Sequence, residues 1–270
     1  MTSITLTGAA GNLGRMLVPE LAARGYRLIL CDIAEYPDPP PQNSSFHKVD
    51  LNDRDGVLGL ASETESILHL GGISVERSFE EILGSNIRGT YHVFELARIA
   101  KARVIFASSN HVVGFHERGQ MLDEDCDLRP DTFYGLAKAY GELLARLYWD
   151  KHAVESLSIR IGTCLPMPKN PRHLSTWLSH GDFIRMIEAG LRFSTLGCRV
   201  IWGASQNQRS WWRTHDQDLG ELRKDDAEPF AEMLSESEPS DPTCLRYQGG
   251  TFCSIGYSRN IPVGEPKENE

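Results

Sequence analysis

A tyrosine and a lysine four residues apart, Tyr134 and Lys138, form the pair of side chains best suited to proton transfer in this sequence. On a helix, residues at i and i+4 lie on one face, so the two side chains would be neighbours. A phenol has a reference pKa of about 10, which must fall by roughly 2–3 units for the phenol to act as a base near neutrality. A lysine ammonium and the positive ring of an oxidised nicotinamide can lower it electrostatically. Alone, the same spacing is more typical of an ordinary amphipathic helix.

Ser109 lies at the end of a predicted strand, residues 103–107, that precedes the Tyr134 helix in the chain. Ligands bind at the carboxyl ends of the strands in open α/β sheets. A hydroxyl at this place could hold a substrate oxygen beside the phenol. In the expected reaction, Tyr134 removes a hydroxyl proton while hydride passes to the nicotinamide, and Lys138 also holds the nicotinamide ribose. We therefore predict Ser109, Tyr134 and Lys138 as catalytic residues.

A glycine-rich turn, T-G-A-A-G-N-L-G, joins the first predicted strand to the first helix and carries Gly8, Gly11 and Gly14. Residues without a Cβ let the backbone approach a pyrophosphate, and the helix N-terminus adds N–H groups and partial positive charge. Glycines also serve plain turns. The position of these three, at the first strand-to-helix junction, favours a dinucleotide site.

Asp32 ends the second predicted strand, where an acid can accept hydrogen bonds from both ribose hydroxyls of an adenosine. It would also repel a 2′-phosphate. Like charges about 4 Å apart cost about 1–4 kcal/mol, which favours NAD over NADP by roughly fivefold to several hundredfold. A solvated acid at a strand end is the alternative. Asp50, after the third strand, could bond the adenine amino group or serve as a helix N-cap.

Strands alternate with helices up to about residue 162, which predicts a parallel sheet covered on both faces. The predicted fold class is α/β, a Rossmann-type doubly wound parallel sheet with a small C-terminal substrate-covering lobe. We expect a single domain over 1–270, with a cofactor-binding core at 1–162, the lobe at 163–262 and a frayed tail at 263–270. The predicted strands are 4–7, 27–32, 46–51, 66–70, 103–107, 155–161 and 199–202, and the predicted helices are 13–24, 79–101, 133–149, 182–192 and 227–235.

The composition argues against several classes of protein. A formal net charge of −9 disfavours a nucleic-acid-binding surface, which needs clustered Lys and Arg. No apolar run reaches the roughly 18–20 residues of a membrane helix, and the start of the chain lacks the basic and apolar segments of a signal peptide. The six cysteines show no C-x-x-C spacing and the nine histidines no H-x-x-x-H spacing. We therefore expect no metal site and a reduced, cytoplasmic location.

The chain resembles the extended short-chain dehydrogenase/reductase superfamily through the glycine turn, N-I-R-G-T-Y-H-V-F-E-L-A at 86–97, S-S-N at 108–110 and Y-G-L-A-K at 134–138. Within it, the chain is most similar to the bacterial uronate dehydrogenase family. The motifs that carry this likeness are H-L-G-G-I-S-V-E (69–76), F-A-S-S-N-H (106–111), R-I-G-T-C (160–164), L-S-T-W-L-S-H (174–180), W-G-A-S (202–205) and Q-G-G-T-F (248–252). The resemblance implies NAD-dependent oxidation of free D-glucuronate and D-galacturonate to aldaric acid lactones.

The resemblance also implies roles for individual residues, among them Arg172 as the partner of the sugar carboxylate and Asn86 as a support of the active-site helix. Thr163 stands where the family has a serine with a substrate contact, and it keeps the hydroxyl. The implied substrate-binding residues are Ser74, Ser109, Asn110, His111, Tyr134, Thr163, Arg172 and Phe252. The implied NAD-binding residues are Gly8, Gly11, Asn12, Leu13, Gly14, Asp32, Ile33, Asp50, Leu51, Leu70, Gly71, Tyr134, Lys138, Ile161 and Cys164.

Several alternatives stay open at this point. A planar guanidinium binds a carboxylate bidentately, so Arg172 could select uronic acids over neutral sugars, but a solvent-exposed loop arginine is the other interpretation. His111 is assigned to substrate binding, although a lone histidine is more often a structural hydrogen-bonder. The departures from the family at 213–226 put oligomer contacts and the pocket rim in question. The competing functions are a nucleotide-sugar epimerase or dehydratase of the same superfamily and a non-catalytic NAD-sensing regulator.

For partners, the sequence predicts a small-molecule uronic acid and neither nucleic acid nor a membrane. The two long helices predicted at 79–101 and 133–149 could pair across a homo-oligomer.

Overall fold

The computed structural model describes residues 2–214 and 222–259. Seven of its strands form one parallel sheet, and two short strands form a second. The strands are β1 (Ser3–Thr7), β2 (Arg27–Asp32), β3 (Ser44–Lys48), β4 (Ser66–His69), β5 (Arg103–Ser109), β6 (Ser156–Ile161), β7 (Thr163–Cys164), β8 (Trp177–Leu178) and β9 (Cys198–Gly203). The large sheet has the order β3-β2-β1-β4-β5-β6-β9. Successive strands are added toward one edge up to β3 and toward the other edge from β4 on, so the strand order reverses between β1 and β4. Doubly wound folds bind ligands at such a reversal.

Helices cover both faces of the large sheet. The helices of the described residues are α1 (Asn12–Ala23), α2 (Arg54–Leu58), α3 (Phe79–Ile82), α4 (Gly89–Ala100), α5 (Phe133–His152), α6 (His173–Thr176), α7 (His180–Arg192), α8 (Pro242–Arg246) and α9 (Thr251–Ser254), with 3-10 helices at Ala61–Glu63, Asn110–Val113 and Glu228–Met233. A π-helix, Leu83–Arg88, joins α3 to α4. Within residues 2–214 and 222–259, no helix has the length and apolar character needed to cross a membrane.

Alternating residues of the strands supply two separate cores. In β2, Leu28 and Leu30 pack with α1 and α7 on one face, whereas Ile29 and Cys31 pack with α4 and α5 on the other. Successive side chains of a strand point to opposite faces, so a strand covered on both faces can bury apolar side chains at consecutive positions. This is why the middle of β2, L-I-L-C, is a continuous apolar run. The Rossmann-type fold predicted from the sequence is confirmed.

The stretch predicted as one helix over 79–101 is instead divided into α3, the π-helix and α4. The interruption contains Asn86, whose side chain is buried and bonded to both backbone groups of Ile73. Its Oδ1 accepts from the Ile73 N–H at 2.8 Å, and its Nδ2 donates to the Ile73 carbonyl at 2.8 Å. π-Helical turns of this kind are frequent at functional sites. The widened turn therefore ties the helix to the loop after β4.

Two other elements differ from their predicted form. The third strand ends at Lys48 instead of residue 51. Residues 227–235 form the 3-10 helix Glu228–Met233, with a proline at its start, instead of an α-helix. The predicted tail at 263–270 and residues 215–221 of the divergent segment at 213–226 lie outside the described residues.

Candidate active site

A cleft of about 1370 Å³ runs along the carboxyl ends of the central strands, across the reversal between β1 and β4. One end of it is lined by the glycine turn after β1, and we call this the nucleotide end. The other end lies beside α5, α6 and α9, and we call it the sugar end. The cleft brings together residues that are as far apart in the chain as Gly8 and Phe252.

Two glycines of the turn at the nucleotide end, Gly8 and Gly14, could not accept side chains. Gly8 has a φ of +75°, and a Cβ there would lie 2.8 Å from the Gly71 nitrogen. A Cβ on Gly14 would lie 2.3 Å from the Gly8 carbonyl oxygen. The N-cap of α1 is Gly11, which has no side chain to bond the first N–H groups of the helix. The turn therefore fits a pyrophosphate that approaches the backbone and the positive end of α1.

Asp32 is held at this end by two backbone groups. Its Oδ2 accepts from the Ala10 N–H at 2.9 Å, and its Oδ1 accepts from the Ala34 N–H at 3.0 Å. Both bonds are local, so the carboxylate sits at the end of β2 in one orientation. Each oxygen keeps acceptor capacity, which is what two ribose hydroxyls would need.

Asp50 is not the helix N-cap that the sequence left open as an alternative. Its Oδ1 accepts from the Asn52 N–H at 2.8 Å, within its own loop. The N-cap of α2 is Asp53, whose side chain accepts from the Gly56 N–H at 3.2 Å. Asp50 borders the cleft, so its proposed contact with the adenine is compatible with its position.

The three predicted catalytic residues lie at the junction of β5 and α5. Ser109 is the last residue of β5, and its side-chain oxygen accepts from the His111 N–H at 3.2 Å. The Lys138 Nζ lies 5.7 Å from the centroid of the Tyr134 ring and 5.0 Å from that of Phe106. Tyr134 and Lys138 are only 8% and 7% exposed, in agreement with one shared helix face turned toward the cleft.

Burial raises the pKa of Tyr134 to about 12, because the apolar surroundings disfavour the phenolate. The neighbouring Ser109 hydroxyl lowers the pKa of Tyr134, and the negative charge of Asp131 raises it. Burial likewise lowers the pKa of Lys138 to about 8. The predicted fall in the Tyr134 pKa is therefore not produced by the protein alone. A positive charge brought into the cleft would be needed to stabilise the phenolate.

Arg172 is the cation of the sugar end. Its Nε donates to the Gln248 carbonyl at 2.8 Å. With the Asn110 amide oriented so that its oxygen faces Arg172, the Nη2 of Arg172 donates to that oxygen at 2.8 Å. Among residues 2–214 and 222–259 no carboxylate forms an ion pair with it. Burial lowers its pKa to about 10, and the nearby charge of Arg118 acts in the same direction. A buried guanidinium without a carboxylate partner is suited to binding an anion.

His111 and Phe252 form an aromatic wall beside Tyr134. The rings of His111 and Phe252 are stacked, with centroids 3.9 Å apart and planes at 19°. Each meets the Tyr134 ring edge-on, at centroid distances of 5.9 Å and 6.2 Å. Such a wall offers a flat apolar face together with one ring nitrogen, an arrangement that suits a sugar.

Thr163 keeps the predicted hydroxyl, but that hydroxyl already has a protein partner. Its Oγ1 lies 3.0 Å from the Oγ1 of Thr176, which in turn donates to the Arg172 carbonyl at 3.3 Å. The pair links β7 to the helix that starts next to Arg172. Thr163 can still contact a substrate, since a hydroxyl has one donor and two acceptor sites.

A loop between β4 and α3 closes the sugar end and is attached to the catalytic helix. Glu76 accepts from the backbone N–H of Phe133 at 3.1 Å and from that of Tyr134 at 2.9 Å, one bond to each carboxylate oxygen. The Thr132 hydroxyl accepts from the Gly135 N–H at 3.0 Å as the N-cap of α5. Ser74 is exposed on this loop and borders the cleft. Glu76 therefore attaches the loop that carries Ser74 to the start of the helix that carries Tyr134.

Known proteins share this architecture over nearly the whole chain. The NAD dependent epimerase/dehydratase family matches residues 4–217. Uronate dehydrogenase of Agrobacterium fabrum is 45% identical, over 93% of this chain and 97% of that protein. Uronate dehydrogenase of Pseudomonas syringae is 43% identical, over 94% of each chain. The chain belongs to the uronate dehydrogenase family.

Solved structures of this family superpose closely. The crystal structure of uronate dehydrogenase from Agrobacterium tumefaciens has a TM-score of 0.87 and 44% identity, covering 94% of this chain and 97% of that one. A tyrosine-to-alanine variant of that enzyme, solved in complex with NAD, has a TM-score of 0.88 and 42% identity, covering 98% of this chain and all of that one. Glucuronic acid dehydrogenase from Chromohalobacter salexigens gives a TM-score of 0.88 at 39% identity, covering 94% of this chain and 97% of that one.

All the residues that the family resemblance implied for substrate and NAD line the same cleft. Asn86 lies behind it, bonded to the Ile73 backbone as described. Their individual roles stay predictions. Sequence reasoning missed the residues that hold them, namely Glu76, Asp131, Thr176 and Gln248. Of these, Glu76, Thr176 and Gln248 stand inside motifs quoted for the family, which was the signal available, but their partners are distant in the chain.

Proposed function

We propose that this chain oxidises free hexuronic acids, D-glucuronate and D-galacturonate, at the anomeric carbon to the aldaric acid lactone, with NAD as acceptor. The observation that carries the proposal is the guanidinium of Arg172, buried at the sugar end without a carboxylate partner among the described residues. It contacts Asn110, the neighbour of the predicted catalytic Ser109. A carboxylate on the substrate would complete this ion pair and bring the rest of the sugar beside Tyr134.

NAD, when bound, accepts the hydride that leaves the anomeric carbon. The side chains of the protein bind the anomeric oxygen and transfer its proton. Ser109 holds the anomeric hydroxyl by its side chain, and Tyr134 takes the hydroxyl proton as the carbon–oxygen bond becomes a carbonyl. Lys138, on the same helix face, would stabilise the phenolate form of Tyr134 that accepts this proton, and it would also bond the nicotinamide ribose. The ring oxygen stays bonded to the anomeric carbon, so the new carbonyl forms a cyclic ester, a lactone.

The cofactor preference follows from the nucleotide end. Asp32 is fixed at the end of β2 with acceptor capacity on both oxygens, which favours two ribose hydroxyls over a 2′-phosphate. The glycine turn supplies the space for the pyrophosphate. These features support NAD as the acceptor, as do the family's name and the relative solved with NAD.

The location and the assembly are parts of the same proposal. All six cysteines are free thiols, which supports a reducing compartment, the cytoplasm. Large apolar side chains are exposed along α5, at Leu136, Leu143 and Leu147, and on α4 at Ile99. An apolar face of this extent on two neighbouring helices supports a homo-oligomer that pairs them. Sedimentation velocity of the whole chain tests this, and a monomer at micromolar concentration would contradict it.

One assay tests the reaction. Purified protein and NAD are incubated with D-glucuronate, D-galacturonate, D-glucose, D-galactose or UDP-galactose, and NADH formation is followed by absorbance. We expect turnover with both free uronates, little with the two neutral aldoses and none with the nucleotide sugar. Equal turnover of galactose and galacturonate would show that the carboxylate is not recognised. Because an epimerase or dehydratase regenerates its NAD and gives no net NADH, the UDP-galactose reaction is also analysed by chromatography. A changed nucleotide sugar would favour a nucleotide-sugar enzyme, and NAD binding without any turnover would favour a regulator.

A further inference from the structure

Asp131 is a buried carboxylate at the sugar end to which the proposed reaction gives no task. Its side chain is 0% exposed, and its Oδ2 lies 2.7 Å from the Nδ1 of His111. Its Oδ1 accepts from the Thr132 hydroxyl at 2.9 Å, and its backbone N–H donates to the His111 carbonyl at 3.3 Å. A charge taken out of water must be paired or hydrogen-bonded. His111 is thus the main partner of this carboxylate.

The backbone around Asp131 is shaped to hold its carboxylate in one place. A Cβ on Gly114 would lie 1.9 Å from the Asp131 Oδ2, and a Cβ on Gly249 would lie 2.0 Å from it. The Sγ of Cys253 lies 3.9 Å from the same oxygen. Two glycines at van der Waals distance leave no space for the carboxylate to turn away. The contact with His111 is therefore built into the fold.

This contact decides which nitrogen of the neutral His111 ring carries the proton. A carboxylate can only accept hydrogen bonds, so the proton must be on Nδ1, and Nε2 is left with a lone pair. The stacked ring of Phe252 and the edge of Tyr134 hold the plane of the imidazole. Within the part of the chain that the structure describes, no protein group is hydrogen-bonded to Nε2, and the ring borders the cleft.

We propose that Asp131 is a positioning residue that holds His111 as the Nδ1–H tautomer, so that Nε2 accepts a hydrogen bond from one hydroxyl of the sugar. His111 then becomes a specificity-determining residue, because it requires a hydroxyl donor at one ring position. This inference rests on the proposed function, since it names a contact with the uronic acid. The tautomer itself is a property of the protein and can be measured without substrate.

The first experiment measures the tautomer. Protein labelled with ¹⁵N-histidine is studied by NMR at neutral pH without substrate, and His111→Ala assigns the signal. We expect a protonated Nδ1 and an unprotonated Nε2 in the wild-type protein. An Nε2–H tautomer or a ring protonated on both nitrogens would overturn the proposal. Because this measurement needs no turnover, its result is independent of whether the chain oxidises uronates.

The second experiment replaces the carboxylate by its amide in Asp131→Asn. The Thr132 hydroxyl already accepts from Gly135, so it keeps donating to the amide oxygen, and the amide nitrogen then faces His111. The histidine should switch to the Nε2–H tautomer. We expect kcat/KM for galacturonate to fall roughly 10- to 100-fold, the cost of one mispaired hydrogen bond at a buried site. In a His111→Ala background, the same substitution should have little further effect. A loss of equal size in both backgrounds would show that Asp131 does not act through His111.

Substrate analogues keep the proposal testable if Asp131→Asn does not fold. Galacturonates in which fluorine replaces one hydroxyl at C2, C3 or C4 cannot donate a hydrogen bond from that position. One of the three should lose roughly 10- to 100-fold in kcat/KM with the wild-type enzyme and much less with His111→Ala. Equal losses with both proteins at all three positions would overturn the assignment. If the wild-type protein oxidises no uronate at all, the proposed function fails, whereas the NMR result still decides the tautomer.

Discussion

The two ends of the cleft are built in different ways. At the nucleotide end, Asp32 is fixed by Ala10 and Ala34, which are 22 and 2 residues away in the chain, and the pyrophosphate would meet backbone. At the sugar end, Arg172 is held by Gln248, 76 residues away, and Tyr134 by Glu76, 58 residues away. The bonds that orient Asp32 thus span at most 22 residues, whereas those that orient Arg172 and Tyr134 at the sugar end join parts of the chain 58 to 76 residues apart.

The difference implies a division of sensitivity. Changes at the nucleotide end should alter which cofactor binds and leave the fold and the chemistry in place. Changes at the sugar end should alter substrate affinity or turnover, and those that cut a long-range contact should also lower stability. The predictions below test this division, beginning with the largest expected effect.

Tyr134→Phe should remove most of the turnover and leave the fold intact, because it deletes only the hydroxyl that takes the proton. General acid–base catalysis contributes about 100- to 10,000-fold, so we expect kcat to fall by that amount. The checks are steady-state rates with galacturonate and a fluorescence titration with NAD, whose binding should be unchanged. A variant that retained the wild-type rate would show that another group accepts the proton.

Arg172→Ala should raise the KM for uronates and affect neutral aldoses little. A hydrogen bond to a charged group contributes about 1.5–3 kcal/mol, which corresponds to roughly 10- to 150-fold in KM. Arg172→Lys is the matched variant, because it keeps the charge and loses the planar guanidinium. Its KM for uronates should lie between those of the wild-type enzyme and of Arg172→Ala. The measurement compares KM for galacturonate and for galactose. An unaltered uronate KM in Arg172→Ala would remove this residue from the carboxylate site.

The same division explains how much could be predicted from the sequence. The alternation of strands and helices, the glycine turn and Asp32 follow from local patterns, and the fold they predict is confirmed. The Tyr134–Lys138 pair could also be predicted from the sequence, since both residues lie on one helix. Glu76 was missed because a carboxylate far from its partner in the chain has no local signature. Asp131 was missed because no motif at that position indicates that it faces His111. The break of the 79–101 helix was missed for the same reason, as it depends on the contact of Asn86 with Ile73.

Asp32→Ala should relax the preference for NAD and leave stability close to the wild-type value. Removal of the negative charge should shift the ratio of kcat/KM for NAD over NADP by roughly fivefold to several hundredfold toward NADP. Asp32→Asn is the matched variant, since it keeps the shape and one acceptor oxygen for Ala10 or Ala34 but not the charge. If charge repulsion sets the preference, both variants should shift the ratio. A shift in the alanine variant alone would assign the preference to the lost hydrogen bonds.

Glu76→Ala should give the smallest change in rate, but one that is accompanied by a loss of stability. The carboxylate accepts from the first N–H groups of α5, and the loss of a helix cap costs about 1 kcal/mol of the free energy of unfolding. We expect a lower midpoint in urea and a several-fold lower kcat/KM, because Ser74 is no longer held beside Tyr134. Glu117→Gln is the matched control, since Glu117 pairs with Arg246 on the surface and such pairs contribute little. A Glu76→Ala variant with normal stability and impaired turnover would mean that Glu76 acts on the substrate directly, and the contrast between the two ends of the cleft would then rest on Arg172 alone.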